Sequence, residues 1–197
     1  MIPSQDNDWE LAKSAATGDE DAYASLISRY QSPIHSFIFR SVGNTETARD
    51  LTQEVFIKAW FGLARLQKKN ARFSSWLFQI AINLCRDYSK SKATRQSHQT
   101  SSLSSSSSET KNDWDLPHPA PPPDRQSELS EDAATLNKAI QNLPTDLRSA
   151  FILGIIENLP YKEVADILRI SPKAVETRIY RARKSLVQQL TVLGVKS

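Results

Sequence analysis

The apolar residues of this chain recur at helical spacing through its first and last thirds, and the period is lost in between. From Asp8 to Thr17 a short amphipathic stretch closes at Gly18, and Asp19 stands where a helix N-cap belongs. Tyr23, Leu26, Ile27 and Tyr30 continue one face. Pro33 either kinks that helix or starts a second one at its first position, and Gly43 stops it. Thr45 opens the next helix, whose core stripe is Ala48, Leu51, Val55 and Ala59. After the basic loop Arg65–Arg72, Ser74 stands as the cap of a helix over 74–90 with Leu77, Ile80, Ala81, Leu84 and Tyr88 inward. In the last third, Leu129, Ala133, Leu136, Ile140 and Leu143 share a face that Pro144 closes, and Thr145 caps a helix burying Leu147, Ala150, Phe151 and Ile155. No strand alternation is present. The pattern predicts an all-α fold of two small helical domains.

Between them, residues 96–130 hold ten Ser and five of the ten Pro. Such a tract has too few apolar groups to offset its ordering entropy and predicts a flexible linker. Trp114 is its one aromatic residue, as readily a docking point as an idle side chain. The divisions expected are an N-terminal segment 1–19, a first domain 20–95, a linker 96–129 and a second domain 130–197. The apolar fraction of 39%, against ~45–50% for globular chains, agrees with a segment that packs no core.

Composition narrows the chemistry. One Cys excludes a disulfide framework and a multi-cysteine metal site, and it suits a reducing compartment. The three His, at 35, 98 and 118, share no metal-ligand spacing, and five Gly form no phosphate-binding loop or nucleophile elbow. No metal, no cofactor and no catalysis are expected. The longest apolar run, Phe151–Ile156, is far short of the ~20 residues of a membrane helix. The acidic N-terminus has no signal-peptide pattern. A soluble, cytoplasmic protein without membrane insertion is expected. Charge is unevenly spread: residues 1–54 carry −5, 65–95 carry +7, 96–130 carry −3 and 169–184 carry +5. Two compact basic segments point to two separate contacts with a polyanion.

The second of these segments has a recognisable form. Tyr161–Leu168 reads as a short helix, Arg169 and Ile170 as a tight turn plugged by the isoleucine, Ser171 as a cap and Pro172 as the first residue of a second helix. That helix buries Val175, Ile179, Ala182 and Leu186. Its other side carries Lys173, Glu176, Thr177, Tyr180, Arg181 and Lys184, with Arg178 and Arg183 flanking. This is a helix-turn-helix, in which side chains of the second helix reach base edges and cations meet phosphates. In the first domain, helix 45–63 shows Asp50, Gln53, Glu54 and Ile57 on one face. An acidic face with an apolar residue inside it repels DNA and suits a protein partner. Helix 74–90 shows Gln79, Asn83, Arg86 and Lys90 at helical spacing, amides and cations suited to bases and phosphates, with Lys92 and Arg95 extending the basic stretch.

DLTQEVFIKAW (Asp50–Trp60) and FSSWLFQIAINLCRDY (Phe73–Tyr88) resemble region 2 of the bacterial extracytoplasmic-function sigma factors. LPTDLRSAFIL (Leu143–Leu153), YKEVA and VETRIYRARKSL resemble their region 4. The resemblance covers about residues 20–95 and 130–190, in the family's order. It implies that Asp50, Gln53, Glu54 and Phe56, with Ile57 beside them, dock on the clamp helices of core RNA polymerase. It implies that the loop Leu66–Ser74 and the face with Gln79, Asn83 and Arg86 capture unpaired bases of the −10 element, with Lys90, Lys92 and Arg95 on nearby backbone. Lys173, Glu176, Thr177, Tyr180, Arg181 and Lys184 would read the −35 duplex, with Arg178 and Arg183 near phosphates. A monomer when free, promoter DNA as ligand and an anti-sigma factor as partner are implied too.

Three positions depart from the family pattern: Ile82 where Arg often precedes the Asn, Arg169 where the turn commonly has Gly, and Glu176 where many members are basic. The rival reading is a free-standing helix-turn-helix regulator with a ligand-binding or dimerising first domain, which leaves Asp50, Gln53 and Glu54 without a task. A nucleic-acid enzyme would need clustered carboxylates for metal, and the acidic residues at 19–21 and 46–54 lack a matching His or further Asp set.

Overall fold

The computed structural model describes residues 7–65, 72–99 and 133–192, which are helical and contain no strand. Most of the loop at 66–71, and the tract 100–132 with Leu129 and Trp114, lie outside the described residues.

The first unit is four helices, α1 (Asp8–Ala16), α2 (Glu20–Val42), α3 (Thr45–Gly62) and α4 (Phe73–Gln99). Gly18 adopts φ +99°, a conformation open to glycine, and Asp19 then accepts a hydrogen bond from the Ala22 amide at 2.9 Å. Hydrogen bonds from the Ser14 hydroxyl and the Ala22 amide hold the Asp19 carboxyl below its ordinary pKa. Pro33 lies inside α2, so one continuous helix runs from Asp19 to Gly43. Gly43 takes φ +77° and returns its amide to the Phe39 carbonyl. Asn44, one residue before Thr45, caps α3 by accepting from the Thr47 amide at 2.8 Å.

Two expectations about α4 change. The helix opens at Phe73, so Ser74 is not its cap: Ser74 is 1% exposed and its Oγ has no hydrogen-bond partner among the described residues. The helix also runs past residue 90 to Gln99, into the stretch assigned to the linker, because neither Gly nor Pro interrupts the chain until Pro117. The core of the unit is Leu26, Tyr30, Ile34, Phe37, Ile38, Val55, Leu77 and Phe78. The buried Asp8 carboxylate accepts from Arg29 and from the Tyr30 hydroxyl, which fastens α1 to α2.

The second unit holds α5 (residues 133–141), α6 (Thr145–Phe151), a wide π-type turn (Ile152–Ile156), α7 (Tyr161–Leu168) and α8 (Pro172–Val192). Of the stripe expected on α5, Ile140 and Leu143 are buried while Ala133 and Leu136 are exposed. Gly154 sits in the π turn where a Cβ would stand 2.6 Å from Ile179 Cδ1, so α8 packs against bare backbone there.

The apolar core continues from one unit into the other. Arg148 on α6 donates to the Ser41 carbonyl at the end of α2 (2.6 Å), and to the Gln141 (2.5 Å) and Leu143 (2.9 Å) carbonyls beside it. Arg40 donates to Asn137 at 3.0 Å, and Ser36 to Glu157 at 3.3 Å. Two units are thus seated on one another through α2 and α4.

Candidate nucleic-acid interface

The helix-turn-helix forms as its sequence pattern requires. Arg169 ends α7 at φ +55°, and the Ile170 amide turns back to the Ala165 carbonyl at 3.1 Å. Ser171 Oγ accepts from the Ala174 amide at 3.2 Å, which satisfies one of the donors a helix start leaves open. Pro172 follows, where an amide proton is not needed. Val175, Ile179, Ala182 and Leu186 are buried against the rest of the unit. The opposite side is therefore turned outward: Lys173, Glu176, Arg181, Arg183 and Lys184 are exposed, and Tyr180 is 67% exposed. Thr177 is half-buried and its hydroxyl donates to the Lys173 carbonyl. Two members are braced: Lys173 pairs with Glu176 at 2.8 Å, and Arg178 reaches Asp146 at 3.4 Å. The Glu176 carboxylate thus stands on a cationic helix with its own counterion three residues away.

On α3 the acidic stripe faces solvent. Asp50 and Gln53 are exposed, Glu54 is half-buried and pairs with Lys58 at 3.2 Å, and Ile57 is 57% exposed. Phe56 does not belong to this surface. It is 7% exposed and sits with Thr52 and Ala59, four before and three after it, on the buried side. Its carbonyl accepts the Tyr23 hydroxyl, whose burial pushes the Tyr23 pKa up to about 12. The sequence reading missed Phe61, 76% exposed and four residues beyond Ile57 on the same stripe. Helical spacing alone could have found it.

On α4, Asn83, Arg86 and Lys90 are exposed in a row. Gln79, the first of that row, is half-buried and already engaged: its Oε1 accepts from Arg169 at 2.8 Å and its Nε2 donates to the Asp166 carbonyl at 3.4 Å. Lys92 lies elsewhere. It lines a cleft of about 490 Å³ with Glu54, Asp87 and Tyr88, on the side of the helix that faces α3. Ile82 is 5% exposed, so it serves packing and offers nothing to a phosphate. Phe73 and Trp76 meet at a tilt, 5.8 Å between centroids and 53° between planes, and Trp76 lies where a Cβ on Gly62 would touch it. Trp76 is thus packed against α3.

Among the described residues no group of three His, Cys, Asp or Glu side chains could hold a metal ion, and no helix is long and apolar enough to cross a membrane. Cys85 is buried on α4, and burial pushes its thiol up to about 12.

The family model for sigma-70 region 2 matches residues 26–95, and that for sigma-70 region 4 matches residues 134–186. The chain is 31% identical over 190 residues to the RNA polymerase sigma-H factor of Pseudomonas aeruginosa, covering 96% of this chain and 97% of that protein. It is 31% identical over 178 residues to the extracytoplasmic-function sigma factor SigW of Bacillus subtilis, covering 90% and 94%. Among solved structures, CnrH in complex with the cytosolic domain of CnrY superposes with a TM-score of 0.68 at 26% identity, over 95% of this chain and 99% of that one.

Proposed function

Because the chain belongs to the extracytoplasmic-function sigma factors, we propose that its helical units divide one task, with 20–95 gripping polymerase and opened promoter DNA and 130–197 reading duplex. The chain is a sigma factor: it binds core RNA polymerase and directs promoter-specific initiation. The observation that carries the division of labour is the contrast between the two exposed faces. The α3 stripe is acidic and apolar, which suits a protein, whereas α8 offers cations and hydrogen-bonding groups, which suit DNA.

In this reading Asp50, Gln53, Glu54, Ile57 and Phe61 meet core polymerase, and Phe56 supports them from beneath. Asn83, Arg86, Lys90 and, once released, Gln79 meet unpaired −10 bases and their backbone; a single strand needs such hydrogen-bonding groups with cations along its track. Lys173, Glu176, Thr177, Tyr180, Arg181 and Lys184 meet the −35 duplex, with Arg178 and Arg183 at phosphates. Lys92 belongs with the cleft beside α3. Elements ~20–25 base pairs apart lie ~70–85 Å apart at ~3.4 Å per pair, and a linker of about 35 residues reaches ~115 Å when extended. Bond-making stays with the polymerase, the chain itself acts as a DNA-binding regulator, and its place of work is the cytoplasm. An anti-sigma partner belongs to the same reading: CnrH was solved in complex with the cytosolic domain of CnrY, and the sigma factor RpoE of Bartonella quintana, which shares the fold, in complex with the anti-sigma factor NepR.

The test is co-migration with bacterial core polymerase on a sizing column, for the wild type and for Gln53→Ala with Glu54→Ala. A stoichiometric complex that the double variant loses is expected. Unchanged assembly of the variant would remove the α3 assignment. Duplex binding with no polymerase complex would favour the free-standing regulator.

A further inference from the structure

The outer face of α8 is cationic, with Lys173, Arg181, Arg183 and Lys184 exposed, and Glu176 is the single carboxylate of that helix. Stability does not account for the acid. It lies in the second turn, beyond the first-turn positions where a negative charge complements a helix N-terminus. Its ion pair with Lys173, at 2.8 Å, leaves the two side chains 56% and 82% exposed, and pairs so exposed contribute little to a fold. A lone carboxylate is also out of place beside DNA, whose phosphates repel it. Paired with Lys173, it carries no net charge into the groove.

The pair has a shape that one base pair matches. Nζ of Lys173 and Oε2 of Glu176 set a donor and an acceptor 2.8 Å apart. On the major-groove edge of a C·G pair the cytosine N4 donor and the guanine O6 acceptor bond one another at about 2.9 Å. Laid against that edge, the carboxylate accepts from the free N4 hydrogen, and the ammonium donates to O6 and to N7 beside it. A T·A pair presents the reverse. Thymine O4 accepts and adenine N6 donates, so the carboxylate meets an acceptor and the ammonium a donor. Both residues lie in the first two turns of the second helix of the helix-turn-helix, the part that reaches base edges.

We propose that Lys173 and Glu176 act as one ion-paired unit that reads a C·G pair in the −35 duplex, Glu176 at the cytosine and Lys173 at its guanine. The inference rests on the reading of α8 as the −35 helix, and it adds the base selected there. A cation at position 176 could not make this choice, since it offers N4 no acceptor.

The test is selection of duplexes with a randomised −35 region by core polymerase carrying the full-length chain, followed by sequencing. Wild type should favour C·G over T·A about tenfold at one position, as a good base contact does. Glu176→Gln should lose that preference and gain adenine there, because an amide pairs with adenine N6 and N7. Other positions should keep their preferences. These are ratios between duplexes, so a general change of charge, which moves all sequences alike, cancels. On the selected C·G duplex, Glu176→Gln and Lys173→Met should each weaken binding about tenfold. The double variant should also lose about tenfold, not about a hundredfold, because either loss alone disables the unit. Losses that multiply overturn the paired unit. Tighter binding of every duplex by Glu176→Gln, with preferences unchanged, places the carboxylate at a phosphate and overturns the inference. Wild-type binding with no base preference anywhere in the region overturns the reading of α8 itself, and the inference with it.

Discussion

Arg148→Ala strips one cation from three carbonyls at once. Nη1 donates to Ser41 and Nη2 to Gln141 and Leu143. Ser41 and Gln141 lie in the last turns of α2 and α5, where carbonyls lack helical donors and a positive charge is favoured. Hydrogen bonds to a charged group contribute about 1.5–3 kcal/mol each. The full sum is not realised, because burial opposes the guanidinium charge and lowers its pKa, and because water can enter the vacated space. A net loss of about 2–4 kcal/mol is expected, the cost of stranding buried acceptors. If the two units melt together, a chain of this size shifts by about 2–4 °C per kcal/mol, or about 4–16 °C in total. Three of the four Trp, Trp9, Trp60 and Trp76, lie in the first unit, so in a Trp114→Phe background tryptophan fluorescence follows α1–α4 while far-ultraviolet circular dichroism follows both units. Both signals should move down together, because one of the three bonds crosses between units. A fall seen by circular dichroism with none in fluorescence would refute the bridging role, and a midpoint shift under about 1 °C would refute the whole argument. Arg148→Lys, which keeps the charge but loses donors, should fall between.

Three more outcomes follow from the same geometry. The Cys85 thiol ionises near 9.0 when unfolded and at about 12 when folded, so its contribution is present below pH 9 and is lost as pH rises toward 12; at pH 10 the loss is about 1.4 kcal/mol. Cys85→Ala should flatten the fall of the urea midpoint between pH 9 and 10, and an unchanged slope would assign that fall elsewhere. Gly154→Val should cost about 1–3 kcal/mol by urea titration, through collision with Ile179. Gly154→Ala, which meets only the movable end of that side chain, should cost less, and equal costs would mean that α8 does not press on the turn. Arg181→Ala should weaken binding to a −35 duplex by about 1–3 kcal/mol; undiminished transcription from promoters that depend on −35 would show that the register of the recognition helix is wrong.

Features set by residues near each other in sequence were readable from it. Gly18 with Asp19, Gly43, and the run from Ile170 to Pro172 each settle a turn through local backbone preference, and each was found where expected. The inner face of α8 followed from period alone. Phe56 was misplaced for a different reason: a motif gathers residues by linear proximity, whereas the helix turns 100° at each step, which puts Phe56 beside Thr52 and Ala59 on the inner side. The same rotation separates Lys92 from Gln79, Asn83 and Arg86. The contact of Gln79 with Arg169 joins residues 90 positions apart, with a tract of no period between them. No local pattern carries such a pairing, and the packing of Ile82 could be read beforehand only as a missing cation.

That same separation along the chain has a consequence during synthesis. A ribosome adding ~5–20 residues per second takes roughly 5–20 s to travel from Gln79 to Arg169. For that interval α1–α4 can fold with the Gln79 side chain free of Asp166 and Arg169, since the end of α7 has not yet been made. The first unit therefore stands alone on every ribosome for that interval, and its contacts with the second unit form only when the last third emerges.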